Sequence, residues 1–415
     1  MLMRVTFFKK YSDLLKSKDN LNTWLIFSYV QQIIFLKFGY NYDWWSTTVF
    51  LDELKNGISP YDSERWNYLP FFPTRFFIDI PALEVSNIIN LAFENVNFHR
   101  FVHMSFYFLV LVLIIKFCKD EINQKILKYW LIFPLFNFFH SFQHQHDSFV
   151  AMASILLINK IYNSDQRRNI IISIILLGYF TSHKPIFAFI YLPILLSNIE
   201  NFKKQLIVIV GSLNLLFYYL FFEFIGLYGV TFNLVDNVIP KVLGYRGFDN
   251  RPFFELIGYN FNPVYTRYFS SILFLISLIA ITYLFKKLKI SLDQLIVYYL
   301  LFFFIFSPTL ATQNIAIIFI ALSFFKDTNK IFRKYVYTIF EVFTFFYVIF
   351  YNIGRPPLDS TYFLAVAYNI LFEFDILYFI NLIPSEQYMN NFVAVALVFL
   401  FIKIYEDTVS LNSPK

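Results

Sequence analysis

Residues 100–142 read RFVHMSFYFLVLVLIIKFCKDEINQKILKYWLIFPLFNFFHSF. From Arg100 to Phe117 the chain is almost wholly apolar. At about 1.5 Å per residue, such a run reaches most of the way across a ~30 Å hydrocarbon layer. Lys116, Lys119, Lys125 and Lys128 then crowd a short connection before the next apolar run, Lys128–Phe142. A helix on the surface of a soluble domain keeps a polar face, and neither run has one. Apolar run, basic connection, apolar run is the pattern of helices that cross a bilayer.

Working outward, the same alternation recurs along the chain. It predicts spans at Thr23–Phe38, Ser148–Tyr162, Ile170–Ser182, Ile186–Asn198, Gln205–Gly229, Tyr268–Phe285 and Leu292–Ser307. Further runs follow at Asn314–Phe325, Tyr335–Tyr351, Tyr362–Ile380 and Phe392–Ile404. The expected fold is an all-α polytopic membrane protein, one membrane domain over residues 1–415 with roughly 11–13 transmembrane helices. Composition agrees: 15% of the residues are charged, where a soluble domain carries roughly 25%. The mean hydropathy is +0.55. A net charge of +6 would suggest nucleic acid in a soluble chain, but here the cations sit at the ends of apolar runs, so no nucleic-acid partner is expected. The single cysteine, Cys118, can form no intrachain disulfide.

Charge also gives an orientation. Arg4, Lys9, Lys10, Lys16 and Lys18 precede the first run, and no small-residue cleavage site follows it, which predicts an uncleaved signal anchor. With the N-terminus cytoplasmic, the connections holding Lys160, Arg167 and Arg168, Lys203 and Lys204, Lys286 to Lys289, and Lys326 to Lys334 all fall inside. The short outside connections hold only Lys184 and Arg355. The outside face then owns two long segments, 39–99 and 230–267. In the first, Ser46–Asn56 has the spacing of a helix lying on the membrane surface. Pro70–Glu94 is apolar but broken by Pro73, Pro81, Asp79 and Glu84. A re-entrant or interfacial pair of helices fits it, because a span would carry the following lysines outside.

Candidate chemistry collects on that face. Asp43, beside Tyr42, Trp44 and Trp45, could serve as a general base toward a hydroxyl, or be a solvated loop carboxylate beside an aromatic belt. Asp52 faces the same choice. Tyr61 and Tyr68 could stack on a sugar or belong to the belt. In SFQHQHDS (141–148), His144, His146 and Asp147 could meet a metal or a phosphate, but a third well-spaced metal ligand is missing. A divalent metal is not obligatory and stays open. In TSHKP (181–185), Lys184 next to a helix start suits an anion or snorkels to headgroups. GYRGFDNRPFFE offers Arg246 and Arg251, the connection after Ser307 offers Gln313, and NIGRPP offers Arg355.

These segments resemble the GT-C superfamily of polyprenyl-phosphate-sugar glycosyltransferases, most closely the GPI mannosyltransferase I group. The family's first-loop pattern of Asp-x-Asp, Val-Phe-x-Asp, Gly-x-Ser-Pro-Tyr and Tyr-x-Pro is similar to Asp43, Val49-Phe50-Leu51-Asp52, Gly57-Ile58-Ser59-Pro60-Tyr61 and Tyr68-Leu69-Pro70. YWLIFP, the run through His183 and Lys184, NFNPVYTRYF and Thr312-Gln313 resemble later motifs in the same order. The acidic pair departs from the pattern, because Trp45 stands where a second carboxylate is expected.

The resemblance implies an inverting hexosyltransferase, with mannose the first choice, drawing on a polyprenyl or dolichyl phosphate donor. The acceptor would be a lipid-linked or membrane-proximal glycan, and the enzyme would sit in the plasma or ER membrane with an extracytoplasmic active site. It implies Asp43 (or Asp52) as base and Lys184, Arg251, Arg246 and His183 at the donor phosphate. Tyr61, Tyr68, His146, Asp147, Gln313 and Arg355 would face the substrates. A small accessory membrane subunit fits the class. The alternatives are a glycolipid transporter or flippase, and an inactive assembly subunit. A transporter would be expected to show discontinuous helices and ionisable groups near the midplane, neither of which is plain in the sequence.

Overall fold

The computed structural model describes residues 21–38, 53, 56–58, 76–90, 96–121, 124–132, 134–141, 147–183, 191, 195, 200–226, 263–287 and 292–306. Among them the regular structure is entirely helical: α1 (Leu21–Leu36), α2 (Phe76–Asn90), α3 (Val96–Cys118), α4 (Gln124–Ile132) and α5 (Pro134–Ser141) come first. They are followed by α6 (Asp147–Asn163), α7 (Arg167–His183), α8 (Asn201–Gly226), α9 (Pro263–Lys287) and α10 (Leu292–Phe306). The expected runs from Asn314 onward lie outside the described residues, as does most of Ile186–Asn198.

α6 is the centre. Every residue from Ser148 to Ile161 is buried, and α3, α5 and α7 pack around it. α1 packs on α3, α4 and α5, and α8 lies against α7. The last contact is close because Gly178 carries no side chain: a Cβ there would meet Leu213 Cβ at 3.0 Å. Beside it the Thr181 hydroxyl lies 2.9 Å from Asn214 Oδ1 across the same seam.

Burial on α1 departs from that of a soluble helix. Trp24, Leu25, Ser28, Gln32 and Leu36 form its buried face, so two polar side chains point inward. Ile26, Val30, Ile33 and Ile34 are exposed. The exposed faces of α3, α7, α8 and α9 are aliphatic too, with Leu109 and Leu113, Ile171 and Ile175, Val208 and Leu216, and Leu275 and Ile279. Among the described residues one helix, Phe98–Cys118, is long and apolar enough to cross a membrane, and Leu21–Leu36, Ser148–Asn163 and Leu275–Leu284 are shorter apolar helices.

Two findings change the expected layout. The predicted run Lys128–Phe142 is two helices meeting at Pro134, which has no N–H to continue the ladder of α4. Carbonyls left over at such a break need other donors. Asn137 Nδ2 reaches the Leu131 carbonyl at 3.1 Å, and Gln31 Nε2 reaches that of Ile132 at 3.2 Å. Asn137 Oδ1 in turn accepts from Ser28 Oγ at 2.7 Å and Gln32 Nε2 at 3.0 Å. The inward-facing polar residues of α1 therefore clamp the break.

The second finding concerns Pro70–Glu94. Its described part is a single helix, α2, reaching on to Asn90. At about 1.5 Å per residue its 15 residues reach ~22 Å, short of a span. Tyr107 Oη donates to Asp79 Oδ1 at 2.8 Å, tying the first turn of α2 to the middle of α3. Asp79 lies eleven residues before the end of α2, and Tyr107 lies eleven residues after the start of α3. The two helices thus run antiparallel, with this contact eleven residues from the facing end of each. Pro81 sits on the exposed face of α2.

Candidate functional site

The hairpin positions a buried polar cluster. Asp79 and His103 are fully buried, and His103 Nδ1 lies 3.6 Å from the Asp79 oxygen that also accepts from Tyr107. His103 and Tyr107 are one helical turn apart and so share a face of α3. Tyr107 is nine residues into the run Phe98–Cys118, about 13 Å along a helix of ~30 Å. The carboxylate, in the first turn of α2, therefore lies against the middle of α3.

Aromatic rings wall this cluster. His140 of α5 meets Tyr107 edge-on at 5.8 Å and stacks between Phe136 and Phe149. Phe149 of α6 contacts Tyr107 at 5.5 Å and Phe180 of α7 at 5.6 Å. Tyr179, next to Phe180, is near enough to Asp79 for the two to interact electrostatically. Four helices, α2, α3, α5 and α7, thus contribute a titratable side chain to one neighbourhood.

Toward the adjacent helix ends stands Arg100, also buried. Its two terminal nitrogens donate to the Leu36 carbonyl of α1 and the Ser141 carbonyl of α5, each at 3.1 Å. One guanidinium thereby satisfies carbonyls at two helix C-termini, where donors are scarce and a positive charge is favoured. It also brings the ends of α1 and α5 to the same end of the bundle. The α6–α7 hairpin, turned by residues 164–166, returns its open end there through the Phe149–Phe180 contact.

The sequence-derived site residues fall unevenly on this frame. Asp147 is the first residue of α6 and His183 the last of α7, so both stand at the open end of that hairpin. Lys184 follows His183 directly in the chain, and Asp43 follows Phe38, which closes the turn after α1. Asp43, Asp52, Tyr61, Tyr68, His144, His146, Lys184, Arg246, Arg251, Gln313 and Arg355 themselves lie outside the described residues. No family model, curated protein or solved structure matches the chain.

Sequence reasoning missed the buried cluster. Asp79 was read only as an interruption of an apolar stretch, and Arg100 only as the edge of a span. A signal was available: His99, Arg100 and His103 put three polar groups into an otherwise apolar helix, where an ionisable group is costly unless it has work to do. In chemical terms, the cluster offers a carboxylate and an imidazole in an aromatic enclosure with a hydroxyl donor between helices. Among the described residues no three metal-ligating side chains converge.

Proposed function

We propose that this chain is a polytopic membrane glycosyltransferase, moving a hexose, mannose first, from a polyprenyl phosphate to a lipid-linked or membrane-proximal glycan. Membrane embedding is supported by α1, which buries Ser28 and Gln32 while leaving Ile26, Val30, Ile33 and Ile34 exposed. Water would penalise that arrangement, whereas lipid favours it. One observation carries the enzyme reading: the ends of α1, α5, α6 and α7 gather at one end of the bundle. The segments holding Asp43, His146 and Asp147, and His183 and Lys184 adjoin those ends in the chain.

In this reading Asp43 removes the proton of the acceptor hydroxyl as its oxygen bonds to the sugar's anomeric carbon. The bond from that carbon to the donor phosphate breaks with inversion. Lys184, with Arg251 or Arg246, stabilises the departing phosphate. His146, Asp147 and Gln313 orient the sugar. Proteoliposomes supplied with radiolabelled polyprenyl-phosphate mannose test it directly. Asp43→Asn should lower transfer by roughly a hundredfold or more. Full activity in that variant would remove Asp43 as the base, and no transfer of any hexose by the wild-type chain would defeat the enzyme reading.

A second reading, a glycolipid transporter, is favoured by the Pro134 break and the position of Asp79 against the middle of α3, because broken helices and midplane ionisable groups mark transport sites. A fluorescent glycolipid that crosses sealed vesicles with no new glycosidic bond would select it.

A further inference from the structure

The cluster around Asp79 has no part in the transferase mechanism, and it has a composition of its own. Burying a carboxylate in an apolar bundle costs several kcal/mol unless hydrogen bonds and charge offset it. If α2 needed only a tether to α3, a serine or asparagine would accept the Tyr107 hydrogen bond without that cost. Instead the oxygen that accepts from Tyr107 also lies 3.6 Å from His103 Nδ1. Imidazole changes charge near neutral pH, and burial in apolar surroundings favours the neutral form of a carboxyl.

We propose that Asp79, His103 and Tyr107 form a proton-binding site inside the helix bundle. The ligand is a single proton, taken from the aqueous phase and held between the Asp79 carboxylate and the His103 imidazole. Uptake converts the pair from one negative charge to none, as a neutral carboxyl beside a neutral imidazole. Tyr107 donates to the ionised carboxylate and so sets the balance between the forms.

The other titratable groups that reach the pair are His140 on α5, edge-on to Tyr107, and Tyr179 on α7. His99 and Arg100 lie one turn before His103 on α3, and Glu84 is on the exposed face of α2. Arg100 directs two nitrogens to the Leu36 and Ser141 carbonyls, so its charge serves those helix ends as well. The inference does not depend on the transferase reading, because the site is defined by the hairpin alone.

The test is infrared spectroscopy of the full chain in lipid nanodiscs, titrated between about pH 4 and pH 9, where carboxyl and imidazole groups change state. The expected result is a buried-carboxyl carbonyl band that fades as pH rises and is missing in Asp79→Asn. In Tyr107→Phe and in His103→Gln, which keep the carboxyl, the carboxyl should hold its proton to higher pH, with the midpoint moved by roughly one pH unit. Those two variants carry the test if Asp79→Asn does not fold. A titration with no Asp79-dependent band, or with the same midpoint in both neighbour variants, overturns the proposal. The readout needs no sugar donor, so its failure and a failure of transfer activity are separate results.

Discussion

The two ends of the bundle treat polar groups in opposite ways. At the basic end the cations lie over aromatic rings: Lys128 over the Trp24 ring at 5.0 Å, Lys160 over Phe117 at 5.2 Å, and Arg167 over Phe202 at 5.4 Å. Lys203 caps the Tyr162 carbonyl at 3.0 Å. From the middle of the bundle toward the other end, polar side chains bind several helices at once, as Asn137 and Arg100 do. Pairwise contacts suffice to hold a helix at a depth. Networks that join separate helices set their relative position, which a site built from several chain segments requires.

That contrast can be broken by substitution, and the effects should decline from the network to the pairs. Asn137→Leu removes the Pro134 clamp and leaves the Leu131 carbonyl without its donor, for a loss of about 3 kcal/mol. Denaturant unfolding of the detergent-purified chain should show it, and a loss like that of an exposed substitution would mean the clamp is dispensable. Arg100→Met keeps the apolar stem but gives up two carbonyl contacts, for about 2 kcal/mol in the same assay. Gly178→Ala forces Leu213 to give way by a few tenths of an ångström, for about 1 kcal/mol, and Gly178→Leu should cost clearly more. Lys128→Met at the basic end should change stability by only about 0.5 kcal/mol. If Lys128→Met matched Asn137→Leu, the distinction between the ends would be lost.

Hydropathy made most helices legible. The expected run Thr23–Phe38 is observed as Leu21–Leu36, Ser148–Tyr162 as Asp147–Asn163, and Ile170–Ser182 as Arg167–His183. These are set by local composition, which a single chain displays. The break at Pro134 was visible as a residue but not as an event, because an apolar average passes over one proline. Its consequence depends on Gln31, Gln32 and Ser28, about a hundred residues earlier. The Asp79–Tyr107 pairing was hidden for a related reason. It rests on the register of two antiparallel helices, and nothing in either helix alone states which residues will meet. The loop residues singled out by motif order, Asp43 and Lys184 among them, are a proposal about chemistry that activity measurements must decide.

The α2–α3 hairpin also bears on how such a molecule is made. α2 emerges from the ribosome before α3, yet it is too short to cross a bilayer and carries a carboxylate whose hydrogen-bond donor, Tyr107, has not been synthesised. In a membrane, α2 would have to wait at the interface until α3 is in place and then slide inward along it. Its insertion would be post-translational in order even if co-translational in time. A ribosome stalled before Tyr107 should leave the α2 segment open to water-borne labels that cannot reach it in the finished chain.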